Sequence, residues 1–289
     1  MTDTASSVIP ESAWRKVRWP GGESTAMTVG VALEAWERQS QVALVARPGA
    51  VDKFSLSYGE YGVRTGVWRL VELFEELDVK ATFSVSGLIA QRHPEVLAAL
   101  AAGGHDLVAH GWVNDKFMPD ATPQDERDNV RRTIDAIERA SGVRSTGWAS
   151  PGSSGSEHTN EILLDEGVTW TGDDASDDVP FVQDVGARKL ALLPKVNVVA
   201  NDYIHWVAPR AAPSVFGENA IAMFDTLYAE GERGRPKWAD IVLHCHMAGR
   251  PAFIPTLRRV LEHVKRHERV WWTRKSDLAA WTLEQDFRR

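Results

Sequence analysis

The sequence predicts an α/β fold, a single distorted, TIM-like β/α barrel of about seven strands. Three observations carry that expectation. Short apolar runs recur along the chain, amphipathic helical stretches separate most of them, and ionisable side chains stand where the runs stop. In a closed β/α barrel those stops fall at the C-terminal face, where active sites are built.

The strand-like runs, in order, are Thr28–Leu33, Lys80–Ser86, His105–His110, Ser145–Ser150, Val168–Asp173, Lys189–Val196, Asp240–His246 and Val270–Thr273. Val63, Val67, Leu70, Val71, Phe74 and Leu77 have the spacing of one helix face. Pro94 opens another helix. Thr122-Pro123 reads as an N-cap followed by proline at the first helical position, and that helix ends near Ser141-Gly142. Ser276 is expected to cap the last helix. Residues 1–24 read as an N-terminal arm, with Trp14 and Trp19 as its docking residues, and residues 25–289 as the barrel domain. No repeat of 20–50 residues interrupts this pattern.

Composition narrows the function classes. A chain of 289 residues, 43% of them hydrophobic, can bury a sizeable core. A formal charge of -7 without a block of lysine or arginine argues against a nucleic-acid surface. The single Cys245 rules out an internal disulfide framework and suits a reducing compartment. The first ten residues lack the apolar core of a signal peptide, and no apolar run is long enough to span a membrane. A cytoplasmic globular protein is expected. No dinucleotide or P-loop glycine motif and no Gly-x-Ser-x-Gly elbow is present.

The ends of the runs supply the candidate site. Glu34 follows Val31-Ala32-Leu33, and His110 closes His105–Ala109. Trp148 and Ser150, then Asp173 and Asp174, end the next two runs. His244 and His246 are two apart, so on a strand they would share a face. An imidazole at a barrel mouth suits acid–base work near neutral pH. Cys245 reads as a buried small residue, with a nucleophile role as the alternative. Among the twelve tryptophans, Trp36, Trp112, Trp148, Trp170 and Trp206 fall at or beyond strand ends, as packing or as walls for a planar ligand. Asp177 and Asp178 are a solvated turn or substrate contacts. The serine- and glycine-rich segment Gly152–Ser156 is expected to line the site.

Several motifs in order resemble the polysaccharide deacetylase (NodB-homology) superfamily over residues 25–285. They are Val-Ala-Leu-Glu34, Thr82-Phe83-Ser84-Val85, Gly104-His105-Asp106 with His110, Gly147-Trp148 with Pro151-Gly152, and Leu243-His244. Tyr61–Trp68, His110-Gly111-Trp112, Asp173–Pro180, Asn201-Asp202 and Gly249-Arg250-Pro251 are similar to a branch holding cofactor-independent allantoinases and peptidoglycan-deacetylase-like proteins.

The resemblance implies hydrolysis of non-peptide carbon–nitrogen bonds, in a small-molecule amide, a cyclic amide or an acetamido sugar. In metal-dependent members one aspartate and two histidines hold the ion and a second aspartate activates water. Here Glu34 falls at the metal aspartate, His110 at the first histidine and Asn114 at the second. The activating aspartate falls at Ala32 or Ala35. Catalytic zinc sites usually supply three protein ligands, so this set is incomplete for zinc, with Glu34 and His110 as its remaining ligands.

The metal-free route uses Glu34, His110 and His244 as catalytic residues, with Trp112, Asn114, Trp148, Asp177 and Asp178 toward the substrate. The alternatives are a metal-dependent glycan N-deacetylase and a degenerate member that binds without turnover. Relatives of this branch imply a homo-oligomer.

Overall fold

The protein is described here by a computed structural model, which covers residues 17–43, 50–195, 200–206 and 211–288. Trp14, the Val196 end of one expected strand and the side chain of Trp206 lie outside the described residues.

Among the described residues the nine strands are β1 (Thr25–Leu33), β2 (Thr82–Val85), β3 (Asp106–Ala109), β4 (Gly147–Trp148), β5 (Trp170–Thr171), β6 (Phe181–Val185), β7 (Arg188–Leu192), β8 (Lys237–His244) and β9 (Val270–Trp272). Their order is β6-β7-β5-β4-β3-β2-β1-β8, with β9 also paired to β1. All pairs are parallel except β6–β7. The sheet curls into a distorted barrel. Among the described residues no ladder joins β7 to β8; the approach to β8 is a single bridge from Asn201 to Val242.

Parallel strands covered on both faces read as continuous apolar runs, and every residue of β1 is buried. β1 is the hub. Its Gly30–Leu33 half pairs with β2, its Thr25–Met27 end with β9, and Thr25–Ala32 with β8. β4 and β5 are two residues each, far shorter than the runs that announced them. The hairpin β6–β7 was not anticipated. It turns at Gly186, whose φ of +61° is the left-handed conformation that glycine adopts without strain.

Local chemistry sets the helix ends. The helix Pro123–Ser141 starts on Thr122, whose hydroxyl accepts from the Asp125 N–H at 3.2 Å, and stops at left-handed Gly142. The last helix, Lys275–Gln285, begins after Arg274, so Ser276 is not its cap. The Ser276 hydroxyl instead donates to Asp106 (2.9 Å) and accepts from the Trp170 indole (3.1 Å). At the N-terminal end of the barrel Trp19 is buried against Trp271 and Trp281, and its indole donates to the Lys237 carbonyl at 3.1 Å.

A π-helical turn, Gly62–Gly66, lies against the segment that follows β8. A Cβ at Gly66 would collide with the Cys245 carbonyl group. Gly66→Ala should therefore destabilise the fold by about 3 kcal/mol, the scale of overpacking against backbone that cannot yield. Denaturant midpoints would show it, and an unchanged midpoint would mean that the π turn relaxes freely.

Candidate active site

Glu34 follows β1, and its carboxylate is buried among groups from four other segments. Its Oε1 lies 3.3 Å from His110 Nε2 and 3.9 Å from His244 Nε2, and accepts from Asn114 Nδ2 at 3.0 Å. Its Oε2 accepts from Gln41 Nε2 at 3.2 Å and lies 4.0 Å from His246 Nδ1. Burial alone would raise the Glu34 pKa. The charge of His244, the hydrogen bond and charge of His110 and the charge of His246 outweigh it and hold the carboxyl at about 2. It is ionised throughout the physiological range.

His110 and His244 are each fixed by the other ring nitrogen. His110 Nδ1 is 2.6 Å from the Ala149 carbonyl, which only accepts, so Nδ1 carries a hydrogen and Nε2 faces Glu34. His244 Nδ1 is 2.6 Å from Asp202 Oδ1, while Asp202 Oδ2 accepts from the His244 backbone N–H at 2.8 Å. Burial pulls the His244 pKa down, but the charges of Asp202 and Glu34 and the Asp202 hydrogen bond lift it to about 9. It is an imidazolium at neutral pH. His246, buried edge-on to Trp36, is drawn down to about 3 chiefly by burial and stays neutral.

The donor set decides the fit of a metal. The Ser86 hydroxyl accepts from the Ala35 N–H and donates to Asn114 Oδ1, so the Asn114 carbonyl is already used. Its NH2 donates to an ionised carboxylate, and an amide nitrogen has no free lone pair to offer a metal. Among the described residues, three ligating atoms come within 4.8 Å of one another only at Asp225, His263 and His267, outside this site. Glu34, His110 and Asn114 do not fit a three-ligand zinc centre.

The structure brings together Glu34, His110, Asn114 and His244 around a cavity of about 350 Å³ whose lining includes Gly152, Ser153 and Trp170. Four expected contacts lie elsewhere. Trp148 is fully buried on the helix-facing side of β4, its indole on Ser150 (2.8 Å), because alternation gives the inward position to Gly147, against Trp170. Trp112 packs over Gly87 with the Arg132 guanidinium 3.3 Å above its ring. Asp178 bonds to Lys237 at 3.2 Å, at the start of β8 and so at the opposite end of the barrel, and Asp177 caps the same turn. His246 does not share a strand face with His244. The strand stops at His244, and a helical turn, Cys245–Ala248, carries His246 to Glu34. Cys245 is buried, and burial drives its thiol pKa well up, away from a nucleophile's.

Sequence reasoning missed Asp202, Gln41 and Ser86, and also Tyr203 and Lys195, which line the cavity. Asn201-Asp202 stood out only as a motif; neither spacing nor periodicity marks the aspartate as the partner of His244.

Comparison with known proteins follows this geometry. The family profile described as polysaccharide deacetylase matches residues 54–170. A Schizosaccharomyces pombe protein assigned to the polysaccharide deacetylases is 30% identical over 248 residues, 79% of this chain and 76% of that one. The crystal structure of PuuE allantoinase superposes with a TM-score of 0.84 and 29% identity, covering 93% of this chain and 94% of that one. A Pseudomonas aeruginosa PAO1 structure assigned as a polysaccharide deacetylase matches with a TM-score of 0.84 and 28% identity, covering 93% and 95%.

These relatives mark the chain as a hydrolase of carbon–nitrogen bonds other than peptide bonds. The chain belongs to the polysaccharide deacetylase (NodB-homology) family. No helix among its described residues is long and apolar enough to cross a membrane.

Proposed function

We propose that the protein hydrolyses a small amide, most favourably a cyclic amide, without a metal. The observation that carries this reading is the Asn114 amide donating to Glu34 Oε1, where a metal site would need a ligand. Glu34, His110 and His244 are the catalytic residues. Water attacks the amide carbonyl, and its proton passes to the Glu34–His110 pair. The His244 imidazolium donates its Nε2 proton to the leaving nitrogen as the carbon–nitrogen bond breaks. Asp202 positions His244, holds its tautomer and keeps it charged.

The cavity volume of about 350 Å³ suits one small ring, and likeness to PuuE allantoinase supports a cyclic amide as substrate. We further propose that residues 25–289 form the catalytic domain, with residues 1–24 as an arm that Trp19 docks. A homo-oligomer acting in the cytoplasm is part of the same reading. It draws on the lone reduced Cys245 and on exposed Val51 and Phe54 as apolar contact surface.

The test is a panel of cyclic ureides, imides and N-acetyl sugars, each assayed with and without a chelator. A cyclic amide should be hydrolysed at the same rate in both. Turnover of N-acetyl sugars alone, abolished by chelator and restored by zinc, would replace this reading with metal-dependent glycan deacetylation.

A further inference from the structure

Two lysines line the cavity, and their situations differ. Lys275 Nζ lies 2.7 Å from Asp240 Oδ2, and Asp240 Oδ1 accepts from the Thr28 hydroxyl at 2.7 Å. Gly30 leaves room for that ammonium, since a Cβ there would stand 2.8 Å from Lys275 Nζ. The pair is neutral as a unit and closes the cavity floor.

Lys195 is held in place but not neutralised. Its backbone N–H donates to the Asp174 carbonyl at 2.7 Å, and its ammonium donates to the Ser153 hydroxyl. No carboxylate among the described residues lies within 4.0 Å of it. The negative charges of Asp173 and Asp240 act on it, and the Lys275 charge opposes them. The Asp173 carboxylate is bound to the Ser150 N–H at 3.0 and 3.1 Å, and Asp240 is committed to Lys275. Burial therefore pulls the Lys195 pKa down, the signature of a cation short of a partner. A half-buried ammonium at the cavity wall, with a hydroxyl as its hydrogen-bond partner, is better satisfied when a ligand supplies the counter-charge. Lys195 also lines the same cavity as His244 and acts electrostatically on it.

We propose that Lys195 is the anion-receiving residue of this cavity, and that the small amide or ureide bound there carries a carboxylate. The proposal rests on the proposed function for the ring chemistry, but its binding step does not depend on turnover. The carboxylate meets Lys195 and the Ser153 hydroxyl, with the scissile amide toward Glu34 and His244. Lys195 thus sets specificity and takes no part in proton transfer.

Calorimetry on Glu34→Gln protein, which binds without hydrolysing, tests this with hydantoin-5-acetate against neutral hydantoin. The anion should bind about 10- to 100-fold tighter, the scale of a charge-assisted contact. Lys195→Met in the same background should erase that difference by weakening the anion alone, and Lys195→Arg should keep part of it. Lys195→Gln serves if the methionine variant does not fold. Equal affinities, a preference that survives Lys195→Met, or no binding of either probe would overturn the proposal. A neutral cyclic amide hydrolysed equally by wild-type and Lys195→Met protein, with no anion preference, sinks this inference and leaves the reaction standing. Lys195-dependent anion binding without hydrolysis of any panel compound does the reverse.

Discussion

Glu34→Gln is expected to lower kcat by about 10³-fold, within the range found for loss of a positioned acid–base group. The substitution keeps shape and volume. It removes the negative charge that His110, His244 and His246 surround, so the unit that accepts the water's proton is lost. The effect should fall on kcat with little change in KM, because the ground-state amide gains little from the carboxylate. Retention of more than a tenth of wild-type kcat would place the chemistry elsewhere in the cavity. A stability consequence runs alongside. The folded-state pKa of about 2 lies below the ordinary 4.5. Ionised Glu34 therefore stabilises the fold fully above pH 4.5, and that contribution is lost as pH falls through about 2.

Asp202→Asn should cost about 10²-fold or more in kcat, and its pH signature is more telling than its size. His244 must be protonated to donate to the leaving nitrogen, so wild-type activity should decline tenfold per unit as pH rises past about 9. Without the Asp202 charge, burial and the nearby Lys195 charge dominate, and the limb should move toward neutral pH by about one unit or more. Rate–pH profiles from pH 6 to 10 would measure it. A purely structural role for Asp202 would lower the rate without moving the limb. The stability sign is opposite to that of Glu34. His244 rises from 6.5 to about 9, so its contribution is complete below pH 6.5 and vanishes as pH climbs through about 9.

Much of the fold was legible in the sequence, because a parallel sheet buried on both faces leaves long apolar runs and its helices carry local caps. Thr28–Leu33 and the Thr122–Gly142 helix were readable for those reasons. β4 and β5 were legible as places but not as lengths, since two-residue ladders are set by tertiary pairing. The β6–β7 hairpin was hidden behind the acidic run Asp173–Asp178, which drew attention as chemistry although it serves a turn and the Lys237 contact.

In the site, Glu34, His110, Asn114 and His244 were legible because each ends or follows an inward-facing strand. Trp148 shows the limit. Position along the chain was right, but whether a side chain faces the cavity or the helices depends on a register that one residue inverts. Asp202 and Lys195 come from segments between strands, where no periodicity says which atom will arrive. His246 reached Glu34 by a helical turn that strand reasoning could not supply.

The three-way pairing of β1 with β2, β8 and β9 has a consequence for biosynthesis. The strand that leads to Glu34 is made long before its partners at Lys237–His244 and Val270–Trp272. Until they leave the ribosome, β1 lacks two of its three neighbours, and contacts of such sequence separation form slowly. Early strands can associate during synthesis, but the barrel, and the carboxylate cluster with it, is completed only after β8 and β9 have emerged.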